Sequence, residues 1–260
     1  MQLVNPLRAR LQSGAIAAGM GAKLVSSAEL APLMRAAGFD WLFIDLEHGK
    51  FSVETACELA TAALGAGIAP ICRVPSKQYW MGARLLDGGA LGIVMPHVDT
   101  AEEARAMVDA FRFPPIGHRS VSGNYPHFGF AAVPSAEAVP ALDAATFLVA
   151  MIETPAAVEA AESIAAVAGL DALLVGCSDL STEMGIPGQV GSDRIAGALE
   201  RVHAACRKHG KVSGFGGAYA EPLLRRYSGL GMRLVLAGND TSLLVEAAKA
   251  RRDIVRSCGA

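Results

Sequence analysis

Ionisable side chains follow four short apolar runs of the sequence, at the point where each run ends. They are Asp45, Glu47 and His48, then Arg73, then Glu153, and finally Asp179 within Gly176-Cys177-Ser178-Asp179. Two carboxylates from different runs, with no histidine pair and no CxxC, suit a hard divalent ion such as Mg²⁺ or Mn²⁺. We therefore expect Glu153 and Asp179 to hold a metal ion and to leave positions for water and a chelating substrate.

The other groups of this set suit the binding of a small acid and the transfer of a proton. Arg73 can bind a substrate carboxylate or a developing oxyanion. His48 can transfer a proton near neutral pH. The turn Gly176–Asp179 opens a helix, and its free backbone N–H groups can bind an anion. We therefore expect Arg73, Gly176, Cys177 and Ser178 to contact the substrate.

The elements that must position these groups alternate along the chain. The runs predicted as strands are Ala15–Met20, Trp41–Leu46, Ala69–Val74, Gly92–Pro96, Phe147–Ile152, Ala172–Val175, Val212–Gly216 and Leu234–Ala237. Alanine-rich helical patterns lie between them, from Ala28–Ala37 to Ser242–Arg256. The alternation predicts a parallel sheet. Only the proline-rich segment Phe113–Pro140 breaks it, and this segment is predicted as a long loop.

Eight parallel strands can form an open sheet or close into a barrel. An open sheet usually carries a nucleotide fingerprint after its first strand, and the sequence contains neither GxGxxG at that place nor GxxxxGK[ST]. We therefore expect an α/β fold of the (β/α)8 TIM-barrel type, as one domain over residues 1–260. Catalytic groups of such barrels lie at the carboxyl ends of strands, where the ionisable residues above are predicted. Single residues keep a structural alternative, since Asp45 or Asp179 can cap a helix and Glu153 can pair with Arg73.

The composition excludes several classes of protein. Hydrophobic residues make up 52% of the 260 residues and charged residues 18%, which is opposite to the balance of a disordered chain. A net charge of −2 lacks the excess of positive charge that is typical of nucleic-acid-binding proteins. No uninterrupted apolar run has the length of a membrane span. Five cysteines, an odd number without metal-type spacing, favour a reduced cytoplasmic protein.

Longer motifs add a resemblance that spans nearly the whole chain. They are Gly38–Gly49, Arg73-Val74-Pro75, Leu86–Val98, Thr100–Ala104, Pro114–Arg119, Ile152-Glu153-Thr154 and Gly176–Ser181. Their order and spacing resemble the HpcH/HpaI family of class II, metal-dependent 2-keto-acid aldolases. The resemblance implies a (β/α)8 barrel whose last helix packs across a subunit boundary, in a dimer-based homo-oligomer that is often a hexamer.

The resemblance also implies a reaction and a role for each site residue. Such enzymes reversibly cleave a 2-keto-4-hydroxy acid into pyruvate, or hydroxypyruvate, and an aldehyde through a metal-bound enolate. It implies that Glu153 and Asp179 hold Mg²⁺, Mn²⁺ or Co²⁺ and that Arg73 stabilises the enolate. It further implies that His48 is the acid/base, that Asp87 orients His48, and that Asp45 supports the site.

Two departures from the family pattern keep alternatives open. Met151 stands where the family usually has glutamine, and by this position it is expected to contact the substrate. Cys177 stands where proline or alanine is frequent. The loss of the glutamine, which helps order the metal site, leaves open a reaction of the same fold on oxaloacetate or another keto acid, by cleavage, condensation or decarboxylation. A non-catalytic keto-acid-binding protein is a more distant alternative, since binding alone needs no acid/base pair.

Overall fold

A computed structural model describes residues 3–258 and shows a closed barrel of eight parallel strands in sequence order. The predicted (β/α)8 barrel is confirmed. The strands are β1 (Ala17–Ala22), β2 (Trp41–Asp45), β3 (Ala69–Arg73), β4 (Gly92–Met95), β5 (Phe147–Ile152), β6 (Ala172–Gly176), β7 (Val212–Gly216) and β8 (Leu234–Asn239). The barrel closes through β1 and β8, where Ala17 lies opposite Leu234 and Gly21 opposite Asn239.

Eleven helices surround the barrel within residues 3–258. They are α1 (Pro6–Gln12), α2 (Leu30–Ala36), α3 (Val53–Ala66), α4 (Tyr79–Asp87), α5 (Ala101–Phe111), α6 (Ser135–Ala145), α7 (Pro155–Ala165), α8 (Cys177–Glu183), α9 (Asp193–Lys208), α10 (Glu221–Gly229) and α11 (Asp240–Ser257). Small side chains such as Ala56, Ala60 and Ala63 of α3 are fully buried, so the helices can lie close to the strands. No helix of the described part of the chain is long and apolar enough to cross a membrane.

Alternation along the strands fills the barrel interior and fixes which side chains reach its mouth. Trp41 and Phe43 of β2 pack in one buried cluster with Ile71 of β3 and with Val149 and Met151 of β5. Successive side chains of a strand point to opposite faces. The next inward positions are therefore Asp45, Arg73 and Glu153, at the carboxyl ends of the same three strands.

The amino end of the chain departs from the sequence prediction. The first strand is Ala17–Ala22, two residues later than predicted, and an unpredicted helix α1 precedes it. Leu7 and Leu11 of α1 belong to the cluster inside the barrel, and Arg8 donates to the carbonyl of Thr146, just before β5. Helix α1 therefore closes the end of the barrel away from the predicted catalytic rim.

The segment predicted as a loop over Phe113–Pro140 contains regular structure. Residues Pro126–Phe128 form one 3-10 turn, and α6 begins at Ser135 and includes Pro140. Phe113, Phe128 and Leu142 pack together in a small apolar cluster of their own. The prediction of a long loop therefore holds for residues 113–134 apart from this turn, and it is wrong for the part of α6 that begins at Ser135.

Candidate active site

A cavity of about 290 Å³ opens at the carboxyl ends of the strands. Among the residues predicted for the site, those that line it are His48, Arg73, Met151, Glu153, Gly176, Cys177, Ser178 and Asp179. They come from β2, β3, β5 and β6 and the turns that follow. Asp45 is fully buried beneath the cavity wall, and Asp87 lies elsewhere.

Asp45 and Arg73 form a buried, two-pronged ion pair on adjacent strands. Register places the two residues opposite each other, and Arg73 donates from Nε to Oδ1 at 3.0 Å and from Nη2 to Oδ2 at 2.8 Å. Asp45 Oδ1 also accepts the backbone N–H of Glu47 and His48. Burial alone would raise the pKa of Asp45, but the bonds from Arg73 hold it below its usual value. Asp45 therefore stays charged and fixes both Arg73 and the start of the His48 turn.

Three further contacts surround the Arg73 guanidinium. Its Nη1 lies 2.8 Å from Glu47 Oε2 and 3.9 Å from the Met151 sulfur. Its carbon lies 5.2 Å from the centre of the Phe43 ring, which is a cation–π distance. The structural alternative from the sequence, a pair between Arg73 and Glu153, is not formed, because Asp45 and Glu47 take that place.

Glu153 is a buried carboxylate with one oxygen left for a ligand. Its Oε2 accepts the backbone N–H of His97 at 2.9 Å, whereas Oε1 accepts no hydrogen bond from the described residues. A Cβ on Gly176 would lie 2.5 Å from Oε1, so only glycine at this position lets the carboxylate approach β6 this closely. Burial, with a further contribution from the negative charge of Asp179, raises the pKa of Glu153 to about 7.

The donor set at β5 and β6 fits a divalent cation. Within residues 3–258 no cluster of three or more His, Cys, Asp or Glu side chains is placed to hold a metal. Glu153 and Asp179 are instead two oxygen donors whose negative charges oppose each other. A hard cation between them would relieve this repulsion, and two protein ligands plus substrate and water are the arrangement that Mg²⁺ commonly takes.

His48 and Asp87 do not meet within one chain. His48 is exposed at the mouth of the cavity. Asp87, the last residue of α4, accepts a hydrogen bond of 2.7 Å from Arg119, whose guanidinium stacks on Phe113. The described residues of a single chain therefore do not form the pair of Asp87 and His48 that the resemblance implied.

The turn after β6 has buried and exposed members. Cys177 is fully buried, and burial raises the pKa of its thiol to about 12. Ser178 is exposed and Asp179 is half-buried. The Cys177 thiol therefore packs as a small apolar group.

Four residues at or next to the cavity were not predicted from the sequence as part of the site. Lys23 follows β1, Tyr219 follows β7 and Asn239 ends β8, and all three line the cavity. His97 follows β4 with a φ of 49° and orients Glu153 through its N–H. Their positions after strands were the one available signal, since groups at that rim are candidates in any such barrel.

The chain is similar to known proteins over nearly its whole length. The chain is 44% identical over 245 residues to the 4-hydroxy-4-methyl-2-oxoglutarate aldolase of Hapsidospora irregularis, covering 92% of this chain and 90% of that one. It superposes on the solved HpcH/HpaI aldolase of Desulfitobacterium hafniense DCB-2 with a TM-score of 0.89 at 32% identity, covering 95% and 96% of the chains. A solved citrate synthase gives a TM-score of 0.87 at 28% identity, covering 98% of each chain. The family profile of HpcH/HpaI aldolase/citrate lyase matches residues 24–247, and the chain belongs to this family.

Proposed function

We propose that the protein is a class II aldolase that reversibly cleaves a 2-keto-4-hydroxy acid into pyruvate, or hydroxypyruvate, and a carbonyl compound. One observation supports this most directly. Two carboxylates suited to a divalent ion, Glu153 and Asp179, line one small cavity together with Arg73 and His48. The resemblance to the family gives each of these four groups a role in carbon–carbon bond cleavage.

Glu153 and Asp179 would hold Mg²⁺, Mn²⁺ or Co²⁺, which when bound supplies the Lewis acidity that polarises the 2-keto group. Arg73 is held in place by Asp45 and Glu47. Its guanidinium stabilises the negative charge that develops on the keto oxygen during cleavage. The backbone N–H groups of the turn Gly176-Cys177-Ser178, which lines the cavity, are proposed to bind the substrate carboxylate.

His48 is the proposed acid/base. Its imidazole accepts the proton of the 4-hydroxyl, and the O–H electron pair becomes part of the new carbonyl as the C3–C4 bond breaks. The electrons of that bond delocalise over C3, C2 and the keto oxygen, and a proton delivered to C3 then gives pyruvate. Asp87 is proposed to orient His48 only in an assembly that brings the two together, because they are apart within one chain.

The test is pyruvate formation from a 4-hydroxy-2-oxo acid. We expect EDTA to abolish it and Mg²⁺, Mn²⁺ or Co²⁺ to restore it. Glu153→Gln should lose at least 100-fold in kcat/KM and lose metal binding in a calorimetric titration. Glu159→Gln, which changes an exposed carboxylate of α7, is the matched control and should keep both. Cleavage that is unaffected by EDTA would refute the metal-dependent mechanism.

A second candidate is a reaction of oxaloacetate on the same site. Met151 replaces the glutamine expected beside the metal, and a citrate synthase shares the fold at 28% identity. Release of CO₂ from oxaloacetate, or its condensation, without cleavage of any 4-hydroxy-2-oxo acid would favour this candidate.

A dimer-based homo-oligomer, such as a hexamer, is proposed for the active form in the cytoplasm. Helix α11 buries only Asp240 and exposes Leu244, Val245, Ile254 and Val255. A helix with these apolar side chains in water would gain from packing on a neighbouring subunit. Light scattering after size exclusion should give a multiple of the chain mass, and a stable monomer would contradict the proposal.

A further inference from the structure

The last step of the proposed cleavage puts a proton on C3 of the pyruvate enolate, and the residues assigned so far do not supply it. His48 takes the proton of the 4-hydroxyl. Arg73 carries a guanidinium that is not deprotonated in proteins, and Glu153 and Asp179 are the proposed metal ligands. The donor for C3 therefore lies on a part of the cavity wall that these groups do not form.

The proposed contacts of the substrate indicate which wall C3 faces. The C1 carboxylate binds at the turn after β6, and the keto oxygen is directed to Arg73 of β3. The three bonds of the trigonal C2 point in three different directions in one plane, so the bond to C3 points away from both groups. Around the mouth, β7, β8 and β1 follow β6 in that order. We therefore expect C3 to face the wall that these three strands form.

Tyr219 is the group on this wall that is able to deliver a proton. The residues of the wall that line the cavity are Gly21, Lys23, Gly216, Gly217, Tyr219, Leu236 and Asn239. The amide of Asn239 has no dissociable proton near neutral pH. Lys23 serves as a counter-charge, because its Nζ lies 3.5 Å from Asp45 Oδ2. The phenol of Tyr219 is the remaining acid.

The Tyr219 side chain is half-buried and points towards the centre of the barrel mouth. Its ring packs against the apolar cluster inside the barrel. The turn that carries it lies against the turn after β6, since a Cβ on Gly217 would lie 2.7 Å from Ser178 Oγ. The phenol oxygen is influenced by the N–H of Gly217, which is itself a donor, and the hydroxyl donates to no residue within 3–258. Its proton is therefore free for a molecule in the cavity.

The surroundings of Tyr219 suit an acid that gives up its proton and recovers it. Burial raises the pKa of Tyr219, and the N–H of Gly217 and the positive charge of Arg73 act in the opposite direction. The phenol is therefore protonated at neutral pH. The same N–H and the same positive charge would stabilise the phenolate that remains after the proton has left.

We propose that Tyr219 protonates C3 of the pyruvate enolate, and that it removes a C3 proton in the direction of aldol addition. The phenolic O–H bond breaks and its electron pair stays on the oxygen. The electron pair shared by C2 and C3 of the enolate forms the new C3–H bond, and the keto group forms again. The phenolate then takes a proton from water. This role rests on the proposed aldolase function and adds a second acid to it.

Deuterium exchange into pyruvate tests this role, since it needs proton transfer at C3 but no cleavage of a carbon–carbon bond. The loss of the methyl signal of pyruvate is followed by proton NMR in D₂O with Mg²⁺. Tyr219→Phe keeps the ring and removes the hydroxyl, and we expect it to slow the exchange by about 100-fold. Tyr79→Phe is the matched control, because Tyr79 packs beside Phe111 and does not line the cavity. It should exchange at the wild-type rate.

Oxalate binding separates proton transfer from a loss of structure. Oxalate resembles the first two carbons of the enolate but has no C3, so its binding does not require an acid at that place. In calorimetric titrations with Mg²⁺, Tyr219→Phe should bind oxalate as tightly as the wild type. Exchange at the wild-type rate in Tyr219→Phe would overturn the proposal. A fall in oxalate affinity as large as the fall in exchange rate would also overturn it, because Tyr219 would then only shape the cavity.

The same experiments distinguish a failure of this role from a failure of the aldolase function. If pyruvate exchange depends on the Tyr219 hydroxyl but no 4-hydroxy-2-oxo acid is cleaved, the aldolase function fails and the role of Tyr219 stands. If cleavage occurs but Tyr219→Phe exchanges pyruvate like the wild type, the role of Tyr219 fails and the aldolase function stands. A wild type that exchanges no pyruvate protons would contradict the role of Tyr219 as well.

Discussion

Gly176→Ala offers the most direct test of how the backbone builds the carboxylate pair. The φ of Gly176 is −85°, so alanine fits the backbone without strain and the effect is confined to the new methyl group. The methyl would lie 2.5 Å from Glu153 Oε1, and ordinary contact at 3.4 Å requires the carboxylate to move by about 0.9 Å. That movement would also stretch the 2.9 Å hydrogen bond from the His97 N–H to Oε2.

We expect kcat/KM to fall by about 100-fold, since a misplacement of about 1 Å typically has this cost. Calorimetry should show that Gly176→Ala binds Mg²⁺ more weakly than the wild type. Its free energy of unfolding in urea should be about 1–3 kcal/mol lower because of the extra methyl group. Gly216→Ala is the control, because Gly216 pairs with Gly176 in the sheet but its methyl would meet only the Leu236 side chain, at 3.2 Å and beyond, which a shift of a few tenths of an ångström relieves. It should lose much less activity. Full activity and unchanged metal affinity in Gly176→Ala would refute the argument that Gly176 sets the position of Glu153.

Other consequences concern stability and reactivity. Asp45→Asn leaves the buried Arg73 without its bidentate carboxylate partner. The free energy of unfolding in urea should fall by about 3–5 kcal/mol. A fall of less than about 1 kcal/mol would contradict this prediction. Asp240 accepts three backbone N–H groups from the turn after β1, and despite its burial these bonds hold its pKa below the usual value. The stability that Asp240 gives the fold is therefore fully present above about pH 4, which is the pKa of an aspartate in the unfolded chain. It is lost as the pH falls through the lower pKa of Asp240 in the folded protein. Asp240→Asn should accordingly lower the free energy of unfolding by about 1–2 kcal/mol at pH 7 and leave it almost unchanged in strong acid. Thermal unfolding of both proteins at several pH values measures this difference. A thiol reagent should modify the exposed Cys258 in the native protein and reach the buried Cys177 only on unfolding, as site-resolved mass spectrometry would show; rapid native modification of Cys177 would refute this.

The sequence predicted the barrel and its rim because both depend on local patterns. Alternation with period two places every second residue of a strand inside, so the inward face of β2 can be followed along the sequence from Trp41 through Phe43 to Asp45. The same rule takes β5 from Met151 to Glu153. Strand ends and the βα rhythm then locate the rim, and the family resemblance assigns roles to the groups found there.

Long-range packing decided the features that the sequence did not predict. Helix α1 is held by Asn5, which donates to the carbonyls of Leu91 and Ala145 at 3.3 and 2.7 Å, contacts between segments far apart in the chain. Helix α6 contains Pro140 and is ordered by a cluster with Phe113 and Phe128. Local signals do exist, since Leu7 and Leu11 of α1 are four residues apart and α6 buries Ala138 and Leu142 at the same spacing. The first helix is only seven residues long and the second contains a proline, so these signals did not lead to a helix prediction.

The partners of Arg73 show most clearly what a sequence leaves undecided. Asp45, Glu47 and Glu153 all had the charge and the rim position to pair with it, and only the register of β2 against β3 gives Asp45 the bidentate contact. Because Asp45 and Glu47 pair with Arg73, and Lys23 lies 3.5 Å from Asp45, Glu153 is left without an ion pair to Arg73 or Lys23. The free carboxylate oxygen of Glu153 at the mouth of the cavity therefore follows from one strand pairing, which no pattern of neighbouring residues could show.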